Sequence, residues 1–109
     1  YNERLFKEIG RWHGPFDAAL VEIDAWNPGW PGMHLFPAQA VRAVQDVNAK
    51  QLIPAHWGLF NLGLHRWDES IRAVQRLADE NNVRVSAPVM GERFEPGKTL
   101  TRRWWENLN

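Results

Sequence analysis

Asp17-Ala18-Ala19-Leu20-Val21-Glu22-Ile23 and Gln51-Leu52-Ile53-Pro54-Ala55-His56 decide the fold of this chain. Both are short and nearly continuously apolar, a pattern that suits strands covered on both faces better than helices with one wet side. The first strand is predicted to end near Asp24 and the second at His56. Pro54 has no N–H to give to a ladder, so the second strand is either an edge or loses its pairing at that point.

Three helical stretches surround these runs. Asn2 can cap a helix from about Glu3 to Trp12, with Leu5, Phe6, Ile9 and Trp12 on one face, which makes Trp12 a core residue. Gly14-Pro15 stops it. Pro37 suits a first helical turn, and Ala40, Val41, Val44 and Val47 line one side of the segment that follows. Asp68 is placed to cap a third helix carrying Ile71, Val74, Leu77 and Ala78, and Asn81-Asn82 closes it by tolerating the left-handed conformation. Val83 to Ala87 reads as a third strand. Helix and strand alternate throughout, which predicts an α/β layer in one domain, not a bundle or a sandwich of strands.

Composition narrows the function. The 13 basic and 13 acidic side chains cancel, and without a basic surface to replace condensed counterions nucleic acid is not an expected partner. No run approaches the roughly 18 apolar residues of a membrane span, and the first residues lack the apolar core of a signal peptide. The expected location is therefore cytoplasmic or membrane-peripheral before secreted. There is no cysteine, which removes disulfides, thiolate metal sites and a cysteine nucleophile together.

Loops leaving the carboxyl ends of strands are where α/β sheets bind ligands, and Asp24 and His56 stand at two such ends. His56, rigidly delivered and followed by Trp57-Gly58, is placed either as a metal ligand or base, or as a ring packed under Trp57. His34 and His65 lie in two tryptophan-bearing loops that could converge on it, or serve as surface and capping residues. A catalytic zinc needs three protein ligands. The chain has no HxH or HExxH pair, so a self-contained centre requires the fold to gather the histidines with Asp24 or Glu22, which the spacing gives no reason to expect. Of the seven tryptophans, Trp26, Trp30, Trp57 and Trp67 flank the candidate site as pocket walls or as local staples. Trp104-Trp105 beside Arg102-Arg103 is either a lipid-surface tail or, more simply, a tail folded back over the sheet.

Several segments together carry a resemblance. They are Tyr1, Phe6-Lys7-Glu8-Ile9-Gly10, Gly14-Pro15-Phe16-Asp17-Ala18-Ala19-Leu20, Met33-His34 with Pro37 and Ala40-Val41, and His56-Trp57-Gly58. Leu64-His65-Arg66-Trp67-Asp68-Glu69, Gly91-Glu92-Arg93-Phe94 and Trp104-Trp105 continue the series. In order and spacing they resemble the C-terminal half of metallo-β-lactamase-fold hydrolases, in the branch of the N-acyl-phosphatidylethanolamine-hydrolysing phospholipase D and its bacterial relatives. The resemblance implies that residues 1–109 form one partial domain, half of an αββα sandwich. It implies a hydrolase of phosphodiesters, esters or lactones using two divalent ions, zinc first, on a small-molecule or lipid-like substrate. His56 matches the histidine supplying the last metal ligand, His34 a substrate-side catalytic histidine, and His65 a pocket wall; Asp24 would stand behind the metal or cap its loop.

Departures accompany the matches. The family's other ligands, in an HxHxDH motif, a further histidine and a Gly-Asp-Ser/Thr-Gly-Tyr aspartate, fall N-terminal to Tyr1. Residues 1–109 are therefore expected to hold metal weakly, to hydrolyse nothing unaided, and to pair an uncovered sheet face with a missing N-terminal half or a second copy. A non-catalytic half-domain that associates through that face is the alternative expectation. Within the matched region Asp24 and Trp26 replace a common Gly and Tyr, Gln39 a usual Glu, and Ser70 a usual Pro.

Overall fold

The computed structural model describes residues 1–108. Along the chain lie α1 (Glu3–His13), β1 (Ala19–Glu22), α2 (Pro37–Asp46), β2 (Leu52–Ala55), α3 (Glu69–Glu80) and a 3₁₀ turn (Trp104–Asn107). β1 and β2 run parallel with Ala19 opposite Leu52 and Glu22 opposite Ala55. The expected α/β alternation is present, and the helix connecting the two strands is α2.

Side chains alternate across this ribbon. Ile23 and Leu52 are fully buried against Val41 and Val44 of α2 and Ile71, Val74 and Ala78 of α3, with Trp105 completing the cluster. On the opposite face Leu20, paired with Ile53, is 73 % exposed. Among the described residues the helices therefore cover this ribbon from one side only, and the open face carrying Leu20 is the uncovered face expected of half a sandwich.

The third strand is also shorter than predicted. Leu52 donates to Arg84 and accepts from Ser86, and Val85 bridges Leu52, but no further ladder forms among the described residues. Pro54 explains this. Leu52 N–H points toward the Val85 segment, so two residues on the Pro54 nitrogen occupies the next donor position on that side and has no hydrogen to give. Pairing is interrupted there, one of the two outcomes that Pro54 allowed.

Trp12 is 70 % exposed, not core. The buried residue of α1 is Gly10, whose absent side chain lets the helix touch the C-terminal end of α2: a Cβ there would lie 2.3 Å from the Asp46 carbonyl oxygen and 2.8 Å from the Val47 carbonyl carbon. Two residues further round a helix at about 100° per residue is the opposite side, so seating Gly10 turns Trp12 outward, where Arg11 lies over its ring at 5.3 Å. Gly10→Ala is expected to cost about 1–3 kcal/mol by overpacking against backbone that cannot step aside, measured by urea denaturation; an unchanged midpoint would show that α1 can lift off freely.

At the start of α3, Asp68 stands at the capping position, yet its carboxylate makes no capping bond. Instead it accepts from Arg72 Nε at 2.6 Å and from Arg66 at 3.1 Å, and it is wholly buried. The Arg72 hydrogen bond, with Arg66 adding to it and burial opposing, holds the Asp68 carboxyl below the ordinary range. Its stabilising contribution is therefore complete above the unfolded carboxyl pKa of ~4 and is lost as pH falls through the lower folded value. Asp68→Asn should flatten the acid limb of the stability-against-pH curve while lowering the plateau.

Asn82 has φ 55°, the left-handed residue expected beyond α3. The C-terminal tail does fold back: Trp104 Nε1 donates to the Ala87 carbonyl, and its ring stacks on Trp57 and Trp67. No helix among the described residues is long and apolar enough to cross a membrane.

Candidate metal and substrate site

The carboxyl ends of β1 and β2 deliver the candidate site. Glu22 is the last residue of β1, on the uncovered face with Leu20, and His56 directly follows β2. Between them the β1–α2 loop returns His34 to the strand ends. Glu22 pins it: Oε2 lies 2.9 Å from His34 Nδ1, and Oε1 accepts the Leu35 N–H at 3.2 Å. With Nδ1 donating to a carboxylate, the neutral ring carries its lone pair on Nε2. His56 stacks on His34 with ring centroids 5.4 Å apart and planes 18° from parallel.

The ligand-type atoms of Glu22, His34 and His56 all lie within 4.8 Å of one another. Donors around a tetrahedral zinc with bonds of ~2.1 Å sit about 3.4 Å apart, so the set must draw in by up to about 1.4 Å to share one ion. Two imidazoles and a carboxylate are a donor set suited to a divalent cation, and His56 is exposed enough to adjust. The residues fit. Glu22 was legible in the sequence only as one of two carboxylates near a strand end; its opposite neighbour Ala55 and its bond to His34 belong to the fold.

His65 does not join this trio. Its Nε2 lies 3.3 Å from Asp24 Oδ1 without the alignment of a hydrogen bond, and its Nδ1 faces the Arg66 carbonyl oxygen at 3.2 Å. Trp26 stacks on the His65 ring with centroids 4.5 Å apart, and its Nε1 donates to Ser70 Oγ. Ser70 in turn donates to Asp24 Oδ1 at 2.8 Å. Trp30 Nε1 donates to the Ala25 carbonyl, closing the loop on itself.

Of the tryptophans expected near the site, Trp57 lines a cavity of about 390 Å³, together with Asp24, His56, Phe60, Leu62 and Met90. Trp26 and Trp30 lie instead within the hydrogen-bonded loop that supports its wall. The site is thus polar at the strand ends and apolar along the loop.

Backbone strain marks the same place. His56 has φ 60° and Ala25 φ 60°. A left-handed conformation is rare for residues other than glycine, asparagine and aspartate, and it turns each strand sharply away just after delivering its side chain.

The chain is similar in sequence to several known proteins. Uncharacterized protein Rv0906 of Mycobacterium tuberculosis is 40 % identical over 106 residues, covering 94 % of this chain and 28 % of the relative. The N-acyl-phosphatidylethanolamine-hydrolyzing phospholipase D 1 of Caenorhabditis elegans is 40 % identical over 100 residues, 83 % of this chain and 27 % of the relative. The outer membrane protein RomA of Klebsiella pneumoniae is 34 % identical over 53 residues, 49 % of this chain and 40 % of that protein. The chain therefore spans about a quarter of the length of the first two. A family model described as the beta-lactamase superfamily domain matches residues 3–57. That stretch runs from the start of α1 through β2 to His56 and Trp57, taking in every element that places the three clustered donors: the chain belongs to the beta-lactamase superfamily, with an α/β fold of the metallo-β-lactamase kind.

Proposed function

We propose that this chain supplies one side of the active site of a metal-dependent hydrolase, with His56 as a metal ligand and His34 as the substrate-side catalytic residue. The observation that carries the reading is the gathering of Glu22, His34 and His56 at the ends of two parallel strands. Glu22 acts here as the positioning residue that orients His34 and leaves its Nε2 free to exchange a proton with substrate or leaving group. A divalent ion bound there, zinc in this proposal, would lower the pKa of water and polarise the bond under attack. The substrate is a phosphodiester or ester with a lipid-like portion, which the apolar cavity beside His56 and the activity named for the nematode relative both support.

With Glu22 and His34 committed to each other and to substrate, His56 alone is a thin hold on a catalytic ion. The remaining ligands are therefore proposed to come from an N-terminal half that covers the face of Leu20 and Ile53, an apolar surface that favours such a partner over solvent. A zinc titration of residues 1–109, followed through the ring proton signals of the histidines by NMR, tests the reading. His34 and His56 signals are expected to shift together and weakly, with His13 unaffected; His56→Ala should abolish the response at His34. A response at His13 alone, or none, would remove the metal assignment.

A further inference from the structure

Asp24, Trp26 and Ser70 were three of the four departures from the family pattern, and the fold joins them in one chain of hydrogen bonds. Its direction is fixed by chemistry. Indole N–H can only donate, so Ser70 Oγ accepts from Trp26, and the Ser70 hydroxyl hydrogen is given to Asp24 Oδ1. The nearby His65 Nε2 also approaches Oδ1. Oδ2 has no hydrogen-bond partner among the described residues and is not fully buried, so it shares in the 5 % of Asp24 that stays exposed. An accessible acceptor that no protein group donates to is open to a donor from a ligand, and Asp24 is part of the wall of the cavity beside His56.

We infer that Asp24 is a recognition residue whose Oδ2 receives an N–H or O–H from the head of a single-chain amphiphile, the chain lying along Trp57, Phe60, Leu62 and Met90. Asp24 is the one acidic residue lining this cavity, whose wall is otherwise apolar except for His56. About 390 Å³ falls within the ordinary size of small-molecule pockets, which pair an apolar lining with a few placed polar groups. A head that donates is thereby selected over one of equal charge that cannot. As a substrate subsite this assignment rests on the hydrolase reading; as a binding site it does not.

Isothermal titration of the chain with octylammonium, octanol and octyltrimethylammonium tests it. The ammonium and hydroxyl probes separate the two sources of a donor, and the trimethylammonium probe carries charge with no N–H. At least one of the first two is expected to bind about tenfold more tightly than the third. In Asp24→Asn the fixed direction of the Ser70 bond keeps the amide oxygen toward Ser70 and turns the NH₂ to the cavity. Donor probes should then lose about tenfold, while 2-octanone, which only accepts, gains. Asp24→Gly, the residue common in the family, serves if the Asn variant fails to fold, and should lose the selectivity without gaining 2-octanone.

Equal affinity for the three charged and neutral probes, or selectivity that survives both substitutions, would overturn the assignment. The zinc response of His34 and His56 is read on the same samples. Donor selectivity without a zinc response would sink the hydrolase reading and leave this site standing; a zinc response without donor selectivity would do the reverse.

Discussion

On the proposed reading, in which an N-terminal half completes the site, His56→Ala made in the completed hydrolase is expected to lower turnover of a phosphodiester or ester substrate by more than roughly 100-fold, the upper end of what losing even an outer-shell metal partner costs. Bound zinc per protein should fall with it. The physical reason is geometric: among the described residues His56 is the sole imidazole delivered directly by a strand end, while His34 reaches the cluster through a loop held by Glu22. Glu22→Gln makes the complementary variant. Its amide can still meet the Leu35 N–H but no longer fixes His34 by charge, so activity should drop by about 10- to 100-fold with metal content largely retained. Unchanged turnover and zinc in His56→Ala would remove the assignment altogether.

Trp105→Ala should be the most destabilising single substitution, costing about 3–5 kcal/mol. The ring is 2 % exposed and sits in the cluster with Ile23, Leu52, Ile71 and Val74. Against a usual total of about 5–15 kcal/mol for a domain, that loss leaves little folded protein. Trp105→Phe separates volume from polarity. The Trp105 Nε1 is buried without a hydrogen-bond partner, and phenylalanine removes that unpaired donor while leaving a smaller void, so its cost should fall well below that of Ala. Chemical denaturation of the three proteins checks the order. Because Trp105 meets Trp57 edge-on at 5.9 Å, with Trp104 stacked on the same ring, the Ala variant should also disturb the cavity next to His56.

Much of the frame was legible because it depends on local pattern. The α2 stripe of Ala40, Val41 and Val44 and the α3 stripe of Ile71, Val74 and Ala78 recur at helical spacing, and both are buried as that spacing requires. Trp12 was misread because its helix has two plausible faces, and what chooses between them is the absence of a side chain at Gly10, a contact made with another helix. The open face at Leu20 was not legible from its run alone, because a run of apolar residues does not say which layer covers it or whether that layer lies within these residues. For the site, the strand ends announced His56, whereas Glu22 required the register that places it opposite Ala55 and the loop that brings His34 back to it. The Trp26–Ser70–Asp24 relay spans 44 and 46 positions of sequence, a separation across which no spacing rule operates.

The left-handed backbone at His56, φ 60°, has a bearing on how this position can change over generations. Glycine relieves that strain for nothing more than a codon change, and asparagine or aspartate tolerates it, so neutral drift pulls position 56 toward those three residues and away from an imidazole. An Ala replacement keeps the awkward torsion and loses the ring, whereas a Gly replacement gives up both. A more stable Gly variant would show that the histidine holds this position at a cost to its own main chain.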